Sequence, residues 1–247
     1  MLRASLRAVW RLLRALGHVL HGMAIVLLRF PSLAPAAREA RVGWWAAKML
    51  RCLGLELRVQ GRFKPGAKLI VANHVSWLDI MAVHAVCPEA RFVSKADVQG
   101  WPLLNRLIAS ARTLYIRRES RRDALRVVHD MAAALHAGDT VAVFPEGTTG
   151  TGSELLPFHA NLLQAAIATG SAIQPVALRY ADARHRFSPA ATWVGDATLL
   201  DSLWALARAD GVVVHLDVIE PQASAHADRR ALAASLQTLI GERLAAQ

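Results

Sequence analysis

From residue 55 onward, short apolar runs rich in branched residues alternate with longer runs of mixed polarity. The short runs predict strands near residues 55–60, 68–72, 113–117, 140–144, 173–179 and 212–219. The longer runs predict helices near 76–86, 101–110, 120–137, 157–169 and 227–245. Because strands that alternate with helices are typical of α/β domains, we expect a mixed, mainly parallel sheet flanked by helices.

The first 53 residues have a different pattern, which predicts two helices. Four arginines at spacings of three or four residues share one helical face: Arg3, Arg7, Arg11 and Arg14. Apolar side chains line much of the opposite face: Leu2, Leu6, Val9, Trp10 and Leu13. The uncharged run that follows, residues 15–28, is shorter than the roughly 20 residues that a membrane span needs. We therefore expect this helix to lie in the membrane interface, with its arginines on anionic headgroups and Trp10 at the boundary.

A second helix is predicted over about residues 36–53, which would complete a helical hairpin that dips into one leaflet. Two alternatives remain for the N-terminal segment. A signal peptide is disfavoured because His18 and His21 interrupt the apolar run and no convincing cleavage site follows. The second alternative is that this segment is a packed surface helix of a soluble domain. The expected organisation is a membrane-association segment over residues 1–53 and an α/β domain over residues 54–247.

The composition limits the classes of molecule that the chain is expected to bind. The chain is 54% hydrophobic and yet carries a formal net charge of +10, which points to an anionic membrane or to nucleic acid. Aromatic residues are only 6%, and no stacking platform for bases is evident, so nucleic acid is disfavoured. The two cysteines form no CxxC or Cys/His cluster, so we expect no metal site.

One strand-to-helix transition carries a pair of residues suited to proton transfer. In KLIVANHVSWLDI, His74 follows the predicted strand and Asp79 lies in the first helical turns. The C-terminal ends of strands are where α/β folds place their sites. A histidine there can act as general base if a carboxylate bonded to its other ring nitrogen holds the tautomer. The alternative is that Ser76 and Asp79 form a capping box and Asp79 has no chemical role.

Three further segments contain weaker candidates. The sequence FPEGTT begins at the last residue of the strand predicted near 140–144 and contains Glu146, Gly147, Thr148 and Thr149. Small residues there expose backbone N–H groups that can bind phosphate or an oxyanion, although an ordinary turn has the same composition.

In ARTLYIRRES, Arg117 and Arg118 close a short strand, and Arg118 is the better ligand candidate. In AIQPVALRY, Pro175 is expected to break a strand near its start. No GxSxG, GxxxxGK[ST] or GxGxxG pattern occurs, which disfavours the corresponding serine hydrolases and nucleotide-binding proteins.

These four segments, in this order, resemble the bacterial glycerolipid acyltransferases that make phosphatidic acid from lysophosphatidic acid. The first motif of that family, N-H-x-S-W-L-D, is complete in residues 73–79. The second is matched only in part by RTLYIRR, where Arg118 takes the arginine position. The third, F-P-E-G-T-R, is present with Thr149 where arginine is common, and Pro175 corresponds to the proline of the fourth. The resemblance covers about residues 36–180.

The resemblance implies an acyltransferase on the cytoplasmic face of the inner membrane. It implies an acyl-CoA or acyl-carrier-protein donor, membrane lipids as partners, and no cofactor or metal. His74 would activate the acceptor hydroxyl, usually at sn-2, and Asp79 would orient His74. Arg118 and Glu146 would hold the acceptor, with Arg117 and the Gly147–Thr149 region near its headgroup.

The expected reaction is the acylation of 1-acyl-sn-glycerol 3-phosphate. Threonine at position 149 also resembles the sequence of the family branch that acylates lyso-ornithine lipid, a phosphate-free acceptor. Acylation of lyso-ornithine lipid therefore stays as the alternative reaction. A non-catalytic basic protein that binds membrane or nucleic acid is the alternative of another class.

Overall fold

A computed structural model describes residues 2–100, 104–116 and 121–247. The helices are α1 (Leu2–Leu28), α2 (Pro35–Leu53), α3 (Leu78–Val86), α4 (Leu104–Ser110), α5 (Arg121–His136), α6 (Gln164–Thr169), α7 (Leu199–Arg208) and α8 (Arg229–Ala246). The strands are β1 (Glu56–Gln60), β2 (Lys68–Ala72), β3 (Arg91–Lys95), β4 (Leu114–Ile116), β5 (Thr140–Val143), β6 (Ala172–Ala181) and β7 (Val213–Val218).

The strands that the structure describes form one seven-stranded sheet in the order β1-β7-β6-β2-β5-β3-β4. All neighbours are parallel except β6 and β7, which are antiparallel. This confirms the predicted mixed, mainly parallel sheet flanked by helices. The central strands β2 and β5 are buried throughout, as expected for parallel strands covered on both faces. Their C-terminal ends meet at one sheet edge.

Among the helices and strands that the structure describes, β3 and α7 were not predicted from the sequence. Strand β3 has a charged residue at each end, so it lacks a continuous apolar run, and Phe92 is its buried anchor. Helix α7 begins with a capping box, in which Thr198 accepts from the backbone N of Asp201 and the Asp201 carboxylate accepts from the backbone N of Thr198. That T-x-x-D pattern before an apolar run was a usable signal for a helix start. Pro175 lies inside β6 rather than breaking it, paired in register with Val71 of β2.

Apolar side chains form a core on each face of the sheet. One core joins the alternate residues of β6 and β7 to α3 and to α2, which contributes Leu50 and Leu53. The other core lies beneath α5, α6 and α8, and Met131 and Leu163 are fully buried in it. Because α2 residues belong to the first core, the predicted N-terminal segment packs on the α/β part of the chain. The boundary at residue 53 stays a prediction.

Helix α1 is one continuous helix that lies along the protein. Near its start, Arg7 binds Asp210 at 2.6 Å and donates to the carbonyl of Arg208 at 2.8 Å. Arg11 donates to the carbonyls of Ala207 and Ala209, so both arginines bind the C-terminal end of α7. Basic side chains are favourable there because the last carbonyls of a helix have no partners within the helix. The expectation that these two arginines face lipid headgroups is therefore wrong.

Further along α1, a histidine and a tryptophan join the helix to α2. Trp45 donates from Nε1 to the carbonyl of His18 at 3.1 Å, and His18 Nε2 lies 2.9 Å from the carbonyl of Trp45. The two rings are also stacked, with centroids 5.2 Å apart. The predicted helical hairpin is thus held by a reciprocal pair of side chain to backbone contacts.

The opposite face of α1 carries a stripe of exposed apolar side chains, which we call the outer stripe. Its members are each 47% to 76% exposed: Leu6, Val9, Trp10, Leu13, Leu16, Leu20, Leu27 and Leu28. They recur at spacings that place them on one helical face. By length and composition alone, the stretch from Arg3 to Leu28 is also able to cross a membrane. A stripe of this size on one helix is typical of a surface that contacts lipid or another protein.

Candidate active site

The site begins where β2 gives way to α3. His74 leaves the end of the strand, and Asp79 turns back from the first turn of the helix. His74 Nδ1 lies 2.8 Å from Asp79 Oδ2, so the structure brings the two together as the five-residue spacing predicts. With Nδ1 on the carboxylate, Nε2 is the nitrogen that can take a proton. The histidine side chain is 19% exposed and the aspartate 0%, so only the base is open to a substrate.

The Asp79 carboxylate is held by more than the histidine. Its Oδ2 also accepts from the backbone N of Val75 at 2.7 Å and of Ser76 at 2.9 Å. The capping alternative is thus present in part, because Asp79 does bind the backbone before α3. The N-cap residue of α3, Trp77, makes no capping bond with its own side chain, and Ser76 Oγ accepts from the backbone N of Leu78 at 3.4 Å. The same carboxylate therefore both turns the backbone and orients His74.

A hydroxyl from β6 completes the surroundings of Asp79. Tyr180, which is 2% exposed, donates to Asp79 Oδ1 at 2.6 Å. The ring of His74 stacks on Phe144, with the centroids 4.0 Å apart and the planes 7° apart. Neither Tyr180 nor Phe144 was singled out from the sequence. The signal for Phe144 was its place as the first residue of the FPEGTT motif, whereas Tyr180 is 101 residues from Asp79 and has no local signal.

Glu146 is buried, and its carboxylate binds two backbone amides. One oxygen accepts from the backbone N of His74 at 2.6 Å, and the other accepts from the backbone N of Leu156 at 2.8 Å. Burial raises the pKa of Glu146, and these two backbone bonds and the nearby His74 act in the opposite direction. Glu146 therefore ties the segment that carries His74 to the loop after β5.

The glycine-rich loop is also held internally. Gly147 has a φ of 74°, a left-handed conformation that favours glycine, and its N–H donates to the carbonyl of Phe144. The N–H of Gly150 donates to the carbonyl of His74 at 2.8 Å. Thr149 donates its hydroxyl to the carbonyl of Trp193, and Thr148 is exposed at the loop surface. Thus Gly147 closes a local turn, and Thr149 and Gly150 connect the loop to its surroundings.

Arg117 and Arg118 lie outside the described residues, so their predicted roles stay predictions. In the part of the chain that the structure describes, no group of three or more His, Cys, Asp and Glu side chains is placed to hold a metal ion. Cys52 and Cys87 are both buried free thiols.

Comparison with known proteins identifies the family. The model of the Acyltransferase family matches residues 56–179, a range that runs from β1 to the eighth residue of β6 and contains His74, Asp79 and Glu146. The chain belongs to the acyltransferase family. The lyso-ornithine lipid O-acyltransferase of Pseudomonas aeruginosa is 38% identical over 96% of this chain and 93% of its own length. The 1-acyl-sn-glycerol-3-phosphate acyltransferase of Neisseria meningitidis is 35% identical over 76% of this chain and 73% of its own.

A solved structure has the same fold as this acyltransferase. The crystal structure of the 1-acyl-sn-glycerophosphate acyltransferase PlsC from Thermotoga maritima matches with a TM-score of 0.76. The match covers 99% of this chain and 96% of that chain, at 19% identity. Because coverage is nearly complete, the shared architecture includes the N-terminal helices. The family match and the two curated relatives show that the protein is an enzyme of the lysolipid acyltransferase type. This confirms the resemblance drawn from the four motifs and disagrees with a non-catalytic binding role.

Proposed function

We propose that this acyltransferase moves a fatty acyl group from a thioester donor to a free hydroxyl of a lysolipid, with His74 as general base. One observation carries the proposal: a partly exposed His74 is held by its Nδ1 on the buried Asp79 carboxylate. This arrangement leaves Nε2 as the ring nitrogen that can take a proton from a substrate. A positioned base of this kind contributes roughly 10² to 10⁴ to a rate.

The reaction balances without a covalent enzyme intermediate. His74 Nε2 takes the hydroxyl proton as the lysolipid oxygen attacks the thioester carbonyl. The new C–O bond forms, the C–S bond breaks, and the proton passes from His74 to the departing thiolate. Asp79 stabilises the imidazolium while it carries that proton. We propose acyl-CoA or acyl-carrier protein as the donor, since both supply a thioester.

For the acceptor, we favour lyso-ornithine lipid and keep lysophosphatidic acid as the second candidate. Similarity to the Pseudomonas aeruginosa enzyme extends over nearly the whole of both chains. The loop also has Thr149 in place of an arginine, and the threonine hydroxyl is bonded to the Trp193 carbonyl. A zwitterionic, phosphate-free headgroup has less need of a guanidinium at this position. The Neisseria meningitidis relative supports the second candidate.

We propose that the enzyme binds one leaflet of the inner membrane from the cytoplasmic side and does not cross it. Contacts along most of α1 support this. Arg7 and Arg11 bind α7, while His18 pairs with Trp45 of α2. A helix that lies against its own domain in this way would have to break these contacts to cross a bilayer. The outer stripe is then the face that enters the lipid.

The test of the proposed chemistry is a pair of substitutions, measured by free-thiol release from a long-chain acyl-CoA in the presence of lysolipid. His74→Ala should lower turnover by roughly 10² to 10⁴ while membrane binding persists. Asp79→Asn should have nearly as large an effect, because an amide favours the wrong tautomer of His74. Asparagine keeps an oxygen that can accept from the backbone N–H groups of Val75 and Ser76, so near-normal turnover of Asp79→Asn would show that Asp79 serves only the backbone.

The acceptor is tested by adding a cation at position 149. If lyso-ornithine lipid is the acceptor, Thr149→Arg should lower its turnover, because the new guanidinium would face the ornithine ammonium. If lysophosphatidic acid is the acceptor, Thr149→Arg should leave its turnover unchanged or raise it, because forked donors bind phosphate well. Thr149→Val is the matched control, since it removes the bond to Trp193 without adding charge. Improved lyso-ornithine turnover with unchanged lysophosphatidate turnover would contradict the electrostatic reasoning.

A further inference from the structure

We propose that Tyr180 is a positioning residue that acts on the reaction through Asp79. The inference rests on the proposed function of the His74–Asp79 pair. Tyr180 bonds Asp79 Oδ1, while His74 shares the other oxygen with two backbone amides. The two ends of the carboxylate are therefore bound by different partners, and only one end contacts the base.

The tyrosine is confined to this single arrangement. It is one of the largest side chains buried in the core, and its hydroxyl meets Asp79, which is 0% exposed. Burial, followed by the charge of Asp79, raises the pKa of Tyr180 well above its usual value. The phenol therefore stays protonated and remains a donor at neutral pH.

The backbone around Tyr180 is fixed by another residue of the first motif. Asn73, fully buried at the end of β2, donates to the carbonyl of Leu178 at 2.9 Å and accepts from its N–H at 2.7 Å. This pair of bonds continues the contact between β2 and β6 beyond Ala72, the last β2 residue paired in register. Residues 178 and 180 lie on the same face of the strand, so Asn73 places the Tyr180 ring beside Asp79.

The physical consequence concerns how strongly Asp79 stabilises the imidazolium. A donor on Oδ1 draws part of the carboxylate charge away from Oδ2 and stops the carboxylate from rotating. Removing that donor should leave Oδ2 a stronger acceptor and should favour protonated His74. Among the residues that the structure describes, Tyr180 from β6 and Glu146 from the loop after β5 are titratable groups that contact this pair or its backbone. Substituting Tyr180 leaves the Glu146 contacts unchanged, so its effect on the pH profile can be assigned.

The experiment measures kcat/KM against pH for Tyr180→Phe in the full-length enzyme, in vesicles of phosphatidylcholine and phosphatidylglycerol, with acyl-CoA and both candidate lysolipids. We expect kcat to fall roughly tenfold with KM changed by less than about twofold. The acid limb, which is the low-pH side of the kcat/KM profile where activity falls, should move to higher pH by about half a unit. Tyr180→3-fluorotyrosine keeps the shape of the side chain and strengthens the donor, so it should move the acid limb to lower pH.

Ser202→Ala is the matched control. It removes another buried hydroxyl from the same core, one that accepts from Trp77 Nε1 and does not touch Asp79. It should lower the unfolding temperature without moving the acid limb. If Tyr180→Phe lowers the unfolding temperature in the same way and leaves the limb in place, Tyr180 has only a structural role and the inference is overturned.

A double substitution separates this inference from the proposed function. If Tyr180 acts through Asp79, Tyr180→Phe should change turnover by less than about twofold in the Asp79→Asn background. An equal loss in both backgrounds would refute the inference, even with Asp79→Asn and His74→Ala inactive. Full turnover of those last two variants would instead refute the dyad itself.

Discussion

Replacing Glu146 by glutamine distinguishes two roles for this residue. The family resemblance assigns it to acceptor binding, whereas its two oxygens here accept from the backbone amides of His74 and Leu156. Glutamine keeps one acceptor and places an NH₂ group against the other amide. One charge-assisted bond is lost and the second becomes neutral. Bonds to charged groups contribute about 1.5–3 kcal/mol each, so we expect Glu146→Gln to lower the free energy of unfolding by about 2–4 kcal/mol.

That loss is large enough to be seen in both stability and turnover. For a chain of this size, about 1 kcal/mol corresponds to roughly 2–4 °C in Tm, so the expected decrease is roughly 5–15 °C. The backbone of His74 should also shift, and a displacement of about 1 Å at a reacting group can lower the rate about 10²-fold. The acceptor KM should change little, because neither oxygen of Glu146 is left to bind a headgroup.

The assays are thermal unfolding and thiol-release kinetics on the same preparation. Glu154→Gln serves as the control, because Glu154 is exposed on the same loop. This substitution changes the net charge by the same amount as Glu146→Gln. A raised acceptor KM with an unchanged Tm would refute the reasoning and would restore Glu146 to acceptor binding.

Two further predictions concern the membrane and the response to acid. Leu13→Glu combined with Leu20→Glu in the outer stripe should lower binding to anionic vesicles at least tenfold, as measured by co-sedimentation. In the proposed membrane-bound state each leucine places an apolar side chain in the lipid, and glutamate would not. Leu125→Glu, at a 68% exposed position on α5, should leave vesicle binding unchanged. Burial lowers the pKa of His84 to about 4 from an ordinary value of 6.5, so the unfolded chain gains a proton there before the folded one does. The free energy of unfolding should therefore fall as pH drops from 6.5 to 4, by up to about 3 kcal/mol, and His84→Leu should flatten this dependence in denaturant titrations.

Local patterns made most of the fold and the centre of the site predictable. The alternation of apolar and mixed runs located six of the seven strands that the structure describes, and the five-residue spacing from His74 to Asp79 indicated their contact. What could not be predicted depends on residues far apart in sequence. The bond from Tyr180 to Asp79 requires β6 to lie beside β2, which no local pattern specifies.

The arginines of α1 illustrate the same difference. Their helical spacing was read correctly, but it could not distinguish lipid headgroups from the carbonyls at the end of α7. Either partner satisfies a basic helical face. The choice depends on where α7 packs in the assembled fold, and α7 itself was not predicted.

The attachment of α1 to α7 also affects how the enzyme encounters its lipid. A membrane helix joined to the domain by a flexible linker would let the domain adopt a wide range of orientations relative to the bilayer. Here Arg7 and Arg11 fasten the helix to the domain at the end of α7. Insertion of the outer stripe into one leaflet would then fix both the distance of His74 from the bilayer surface and its orientation. Acceptor lipids would reach it by diffusing sideways within that leaflet, and the search for substrate would become two-dimensional.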